Sequence, residues 1–123
     1  MGHNKYMKLK IKYKDEVLTF ETEKDSIGIG RSSDNDFVVP FEDFSRKHCL
    51  VTFKGDYAFI TDLGSKNGVT IDGRKIPANQ AYPIYTNSRV FIANLFEFIL
   101  PDGTSIKEDL LDLTLEEPIN RNR

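Results

Sequence analysis

Cysteine is almost absent from this sequence, because Cys49 is the only one in 123 residues. A single cysteine excludes an internal disulfide framework and is typical of a reducing compartment, so we expect a cytoplasmic protein. One cysteine and two histidines are also too few ligands for a structural zinc site. We therefore expect no metal site and no cofactor.

Long apolar runs and a strong net charge are absent as well. No run approaches the ~20 apolar residues of a membrane span, and the N-terminus lacks the apolar core of a signal peptide. The formal net charge is only −2, which gives no electrostatic reason to expect nucleic acid or an anionic membrane as partner. Any anion-binding site must therefore be local. The length is that of one domain with a single core.

Short runs rich in aromatic and β-branched residues make up most of the sequence. In the first run, Leu9, Ile11 and Tyr13 alternate with lysines, as in a strand with one buried face. Turn-forming residues separate the runs, among them Asp72-Gly73, which favours a two-residue hairpin. The runs are residues 8–13, 17–20, 27–29, 37–39, 49–53, 57–60, 69–71, 74–76, 90–92 and 96–100. This spacing predicts an all-β sandwich of about 10–11 short strands.

Three other turns are predicted from the same kind of signal. We expect Asp15-Glu16 to join the first two strands, Lys54-Gly55-Asp56 to form a second hairpin, and Ala93-Asn94 to form the last.

The two ends of the chain differ from this pattern. Residues 1–6 are interpreted as an N-terminal tail or cloning remnant, residues 7–101 as the domain, and residues 102–123 as a helix and tail. Ser105 followed by Glu108 forms a capping box, which predicts a short C-terminal helix over residues 105–117. That helix could pack on the edge of the sandwich or link the domain to another domain or a dimer partner.

Three polar segments lie between the predicted strands, and each combines turn formers with donors suited to an anion. They are Gly30–Asp36, Phe44–His48 and Asp62–Gly68. We expect three loops at one end of the sheet scaffold, where loops usually hold binding sites.

In order and near spacing, the three segments resemble the forkhead-associated (FHA) domain. The resemblance lies in Gly-Arg, then Ser-Arg-x-His, then Asp-x-Gly-Ser-x-Asn-Gly. It implies a β-sandwich and a module that binds phosphothreonine peptides. The implied partner is a phosphothreonine-containing protein or peptide, in trans or from the same chain, downstream of a Ser/Thr kinase.

The resemblance assigns phosphate contacts to Arg31, Ser45 and Arg46. This chemistry suits the ligand, because phosphothreonine has a charge of roughly −1.5 to −2 and the guanidinium fork matches phosphate geometry. Lys66 stands where many relatives place a Thr or Ser hydroxyl on the phosphate, so a third cation is expected there. Val69 stands where Thr often follows the glycine, with little expected consequence.

Two residues are expected to contact the ligand peptide rather than its phosphate. Asn67 resembles the residue that holds the ligand main chain beside the phosphothreonine. Asp43 occupies a position that in some relatives contacts the ligand residue three past the phosphothreonine. An acidic side chain there should repel an acidic ligand residue and tolerate a basic or apolar one.

Five residues are expected to support the site without contacting the ligand. Gly30, Gly64 and Gly68 are interpreted as backbone requirements of tight turns. Ser65 and His48 are assigned structural roles. His48 follows Ser45 closely enough to suggest a nucleophile and base, but Ser45 lacks the flanking glycines of a nucleophile elbow. We therefore expect no enzyme.

Two alternatives remain open from the sequence alone. Arg31 could simply pair with Asp34 or Asp36 on the surface. The domain could also be a phosphate-independent interaction or scaffold module on the same fold.

Overall fold

A computed structural model describes residues 6–106, which form eleven β-strands and no helix. The all-β sandwich expected from the sequence is confirmed. The strands are β1 (Met7–Tyr13), β2 (Glu16–Thr22), β3 (Ser26–Gly30), β4 (Phe37–Val38), β5 (Cys49–Lys54), β6 (Tyr57–Asp62), β7 (Val69–Ile71), β8 (Arg74–Lys75), β9 (Ala81–Ile84), β10 (Val90–Ile92) and β11 (Phe96–Ile99).

The strands form two sheets that pack face to face. One sheet has the order β2-β1-β11-β10-β7-β8 and the other the order β4-β3-β5-β6-β9. Alternate residues of most strands point into a common apolar core, as the period of two requires. Leu9 and Ile11 of one sheet and Ile29, Val51 and Ile60 of the other are fully buried there.

Predicted turns appear where the sequence places them, with one displaced by a residue. Asp72-Gly73 joins β7 to β8, and both residues have positive φ. Gly55-Asp56 joins β5 to β6, and the loop that includes Ala93-Asn94 joins β10 to β11. The first turn was expected at Asp15-Glu16 but consists of Lys14-Asp15, because Glu16 already pairs with Tyr13.

One strand, β9, was not among the predicted runs. Its sequence Ala-Tyr-Pro-Ile contains Pro83, which cannot donate a backbone hydrogen bond within a sheet. The structure accommodates Pro83 because β9 is the outer strand of its sheet and pairs only with β6. Proline in strands is confined to such edges, which is why the local sequence is a weak strand signal.

The predicted helix over residues 105–117 lies, after Ile106, outside the described residues. Within residues 6–106 the chain ends in an irregular segment held to the sandwich. The Ser105 amide donates to Asp56 O over 2.8 Å, and the Thr86 amide donates to Ser105 O over 3.1 Å. In this part of the chain no helix is long and apolar enough to cross a membrane.

Candidate functional site

Three loops meet at one end of the five-stranded sheet, where the strands β3, β5 and β6 end or begin. The β3–β4 loop covers residues 31–36, the β4–β5 loop residues 39–48 and the β6–β7 loop residues 63–68. The antiparallel register pairs Ile29 with Cys49 and Cys49 with Asp62. The end of β3, the start of β5 and the end of β6 therefore lie side by side, which brings the three predicted segments together.

Arg31 begins the β3–β4 loop and is held by the β4–β5 loop. Its amide donates to Ser45 O, and its Nε donates to Phe44 O, each over 3.0 Å. These two bonds attach the backbone and the Nε atom of Arg31 to the neighbouring loop, while the residue remains exposed.

The carboxylates next to Arg31 have other partners. Asp34 pairs with Lys47 at 3.3 Å, and Asp36 pairs with Lys24 at 2.5 Å. The pKa of Asp34 is lowered by its hydrogen bonds with Ser32 and Lys47, and the pKa of Asp36 by its hydrogen bonds with Lys24 and the Gly28 amide. Arg31 therefore forms neither of the surface ion pairs that the sequence left open.

Gly30 lies where the first two loops approach each other most closely. A Cβ atom at this position would lie 2.2 Å from Arg46 O and 2.9 Å from Asn35 Nδ2. Arg46 O also accepts hydrogen bonds from the Ser32 amide and from Asn35 Nδ2. A side chain at Gly30 would displace this junction, which gives a physical reason for glycine.

His48 joins the β4–β5 loop to the β6–β7 loop on the buried side of both loops. The side chain is fully buried, and its Nδ1 accepts a hydrogen bond from the Ser45 amide over 3.1 Å. Its Nε2 lies 2.9 Å from Gly68 O, so Nε2 must have the proton and the ring must be neutral. Burial lowers the pKa of His48, against the opposing effects of the Gly68 carbonyl and the Asp62 charge.

The β6–β7 loop is closed from within by Asp62 and Ser65. The buried Asp62 carboxylate accepts hydrogen bonds from the Gly64 and Ser65 amides, each over 3.2 Å, and from the Ser65 hydroxyl. The Ser65 hydroxyl in turn accepts the Gly68 amide over 2.9 Å. Gly64 and Gly68 have φ values of 82° and 75°, a region that favours glycine.

The side of the β6–β7 loop that faces solvent contacts the β4–β5 loop twice. The Lys66 amide donates to the Ser45 hydroxyl over 2.9 Å, and Asn67 Nδ2 donates to Asp43 O over 2.8 Å. The two residues predicted to contact the ligand peptide, Asn67 and Asp43, are therefore bonded to each other. Ser45 lies between two of the predicted cations.

Three cations of these loops have no carboxylate partner among residues 6–106. They are Arg31, Arg46 and Lys66, all exposed. The nearby Lys24 and Lys47 are in contrast paired with aspartates. The three loops therefore present three exposed cations without a carboxylate partner in the described part of the chain, although the net charge of the sequence is negative.

Three residues that support or border the site were not among the predicted ones. Asn35 bonds the carbonyls of Ser32 and Arg46, and Asp62 organises the β6–β7 loop. An Asp three residues before a Ser is a local signal for such a closed turn, so Asp62 could have been found. Lys75 of β8 lies over Gly68 and is brought there only by the fold.

Comparison with known proteins points to one family. The sequence model of the FHA domain matches residues 27–93, more than half of the chain. The chain is 32% identical over 62 residues to the FHA domain-containing protein FhaB of Mycobacterium tuberculosis strain H37Rv. That match covers 50% of this chain and 40% of FhaB, so the chain spans less than half the length of this relative.

Solved structures give the same result for the fold. The FHA domain of the CT664 protein of Chlamydia trachomatis is 27% identical, with a TM-score of 0.68, 80% of this chain covered and 98% of that one. An FHA domain from a structural and functional analysis of phosphothreonine-dependent FHA domain interactions has a TM-score of 0.62 at 24% identity. That match covers 76% of this chain and 95% of the other.

Proposed function

The chain belongs to the FHA domain family, and on that premise we propose that it is a phosphothreonine-dependent binding module whose ligand is held by the three loops. The observation that supports this most strongly is that Arg31, Arg46 and Lys66, in loops bonded to one another at Ser45, have no carboxylate partner among residues 6–106. A phosphate group needs positive charge and donors to several oxygens at once. Positive charge and a hydroxyl are both available here without breaking any ion pair between described residues.

Each loop has a distinct role in this proposal. Arg31 supplies a guanidinium whose Nε is already fixed to Phe44 O, leaving its terminal nitrogens to contact the phosphate. Arg46 and Lys66 supply further charge, and Ser45 a hydroxyl. Asn67 contacts the ligand main chain by exchanging its hydrogen bond with Asp43 O for one with the peptide.

We assign His48 no chemistry in this function. Its two ring nitrogens are occupied by the Ser45 amide and Gly68 O, and it is fully buried. A general base must reach the proton that it removes, and this ring faces backbone groups instead. The module therefore recruits a phosphorylated partner, downstream of a Ser/Thr kinase, and does not modify it.

The direct test is calorimetric titration with a degenerate phosphothreonine peptide pool, beside phosphoserine and unphosphorylated pools. We expect binding to the phosphothreonine pool alone. Equal or absent binding in all three pools would favour a phosphate-independent interaction module on the same fold.

Two substitutions locate the site within that experiment. Arg31→Ala should cost on the order of 2–5 kcal/mol of binding free energy, because it removes a charge-assisted contact. At 1.4 kcal/mol per decade this is roughly thirtyfold or more in Kd. Ser45→Ala should weaken binding to the pool as well, because it removes the hydroxyl. Unchanged affinity in both variants would place the ligand elsewhere on the molecule.

Lys47→Ala is the matched control, because Lys47 is adjacent to Arg46 in sequence but is paired with Asp34. If the affinity depended only on how much positive charge lies near the phosphate, Lys47→Ala and Arg46→Ala would weaken binding equally. We expect Arg46→Ala to have the larger effect.

A further inference from the structure

A groove of about 500 Å³ opens between β8 and β9, and none of the residues that line it is proposed above to hold the phosphothreonine ligand. Ile71, Ile76, Tyr82 and Tyr85 line its apolar floor. It lies between two sheet edges, since β8 is the last strand of one sheet and β9 the last strand of the other. Unpaired edges beside an apolar floor are a surface that proteins normally cover.

The rim of the groove is basic. Arg74 and Lys75 of β8 line it, both are exposed, and no carboxylate among residues 6–106 forms a salt bridge with either. Asp72 also lines it, but its carboxylate accepts a hydrogen bond from the Arg89 amide. The groove therefore suits an occupant that combines apolar side chains with negative charge.

A segment of the same chain has this composition. Residues 108–117 contain four leucines and five carboxylates and no cation. The leucines are Leu110, Leu111, Leu113 and Leu115.

The chain also leaves the described domain beside the groove. Thr86 bonds the backbone of the outgoing chain twice, through its amide to Ser105 O and through its hydroxyl to Thr104 O over 2.6 Å. Tyr85, the residue before Thr86, lines the groove. Ten residues span up to about 33 Å when extended and about 15 Å as the helix that the sequence predicts, and both exceed the ~13 Å length of a four-residue strand such as β9.

We propose that residues 108–117 occupy the groove between β8 and β9 of their own chain. The leucines cover the apolar floor, and the carboxylates lie near Arg74 and Lys75. This covers both sheet edges with a segment whose attachment point is already fixed at Thr86. The inference is independent of phosphothreonine binding, because the groove residues are not the ones proposed to hold the ligand.

An introduced indole can report the occupant, because the sequence has no tryptophan. In the full chain, Tyr82→Trp places one tryptophan on the groove floor. We expect its emission to be blue-shifted and shielded from acrylamide. Adding Leu110→Asp and Leu113→Asp should shift the emission to the red and increase quenching, because two buried apolar groups of the segment are replaced by charges.

Matched controls separate this effect from general ones. Asn120→Asp with Asn122→Asp adds the same charge outside the segment and should leave the emission unchanged. Val17→Trp places an exposed tryptophan on β2, which is the outer strand opposite β8 in the six-stranded sheet. Its emission should respond neither to the two leucine substitutions nor to the two asparagine substitutions. Arg74→Glu, at an exposed position, should increase quenching of the indole at position 82 through the loss of the charge attraction.

Three results would overturn the proposal. The first is an indole at position 82 that is equally quenched with and without the leucine substitutions. The second is an equal response to the Asn120 and Asn122 substitutions. The third is shielding that disappears on dilution, since it would make a second copy the occupant rather than the chain's own segment.

Discussion

Two kinds of connection between strands can be compared in this molecule. Four hairpins, at residues 14–15, 55–56, 72–73 and 93–95, are closed in two or three residues, and each contains at least one positive φ. The three site loops are longer, and their closing hydrogen bonds come largely from side chains or from a different loop. The hairpins at residues 14–15, 55–56 and 72–73 depend mainly on their own strands, whereas the β4–β5 loop bonds both of the other site loops. The fourth hairpin is intermediate, because the Ala93 amide donates to Gly68 O of the β6–β7 loop.

This difference separates local from shared stability. A substitution in one of the first three hairpins should change the free energy of unfolding and leave the site intact. A substitution in one site loop should alter the other loops, because His48 and Asn35 each bond two of them. The following predictions test that distinction, from the largest expected effect to the smallest.

Removing the buried imidazole should have the largest effect. His48→Ala leaves the Ser45 amide without its partner, removes one of the two donors to Gly68 O and creates a cavity, which should lower the free energy of unfolding by roughly 3–5 kcal/mol. Urea denaturation measures it. His48→Phe fills the volume without the hydrogen bonds and should recover only part of the loss. Full recovery by phenylalanine would show that packing, not the bridge between loops, is what matters.

Adding a single methyl group where two loops meet should come next. Gly30→Ala places a Cβ against Arg46 O and should cost about 1–3 kcal/mol of stability, as overpacking does. Because Arg46 O accepts from the Ser32 amide, the amide resonance of Ser32 should shift. An unperturbed Ser32 resonance in an otherwise folded variant would contradict the coupling between these loops.

As the pH is lowered, the free energy of unfolding should first fall through His48, whose hydrogen bonds join two loops, and only at lower pH through the carboxylates. The unfolded imidazole has a pKa of about 6.5, and burial lowers the pKa of His48 in the folded protein. At a pH between these two pKa values, the imidazole of the unfolded chain binds a proton that the imidazole of the folded chain does not. Stability should therefore fall as the pH drops below about 6.5, by at most about 1.4 kcal/mol per pH unit.

A pH series of urea midpoints measures this slope, with His48→Phe as the control that should abolish it. The lowered pKa values of Asp34 and Asp36 act in a separate window, below their ordinary value of 3.8. Their stabilising contribution is present above that value and is lost as the pH falls further. A slope near pH 6 that persists in His48→Phe would assign it to another group.

A hairpin substitution should have the smallest and most local effect. Gly73 has a φ of 86°, and an added Cβ would meet no heavy atom within 4 Å. Gly73→Ala should therefore cost only the backbone conformational penalty, about 1 kcal/mol. Calorimetry should give the same phosphopeptide Kd as the unsubstituted chain. A changed Kd would show that hairpins and site loops are not independent.

The same comparison explains what the sequence could predict. Strands and hairpins follow from alternation and from residues that tolerate positive φ, and ten of the eleven strands were found in that way. The exception, β9, contains Pro83, and only its position at the sheet edge makes proline acceptable. The one-residue shift at Lys14-Asp15 arises because the register of the strand pair decides the turn.

The site was predictable in part for the same reason. The three segments were identified by their own residues, and the family resemblance placed them together. The sequence could not show that Asp34 and Asp36 pair with Lys47 and Lys24 rather than with Arg31. It also could not show the role of Asn35 or the position of Lys75 over Gly68, since these contacts join distant parts of the chain.

The way in which Arg46 and Lys66 are attached has a consequence for how such a site can diversify. Both residues hold their loops through backbone atoms, Arg46 through its carbonyl and Lys66 through its amide. Every amino acid except proline offers the same two groups. Side chains at these two positions can therefore be exchanged while the hydrogen bonds that hold the two loops stay unchanged.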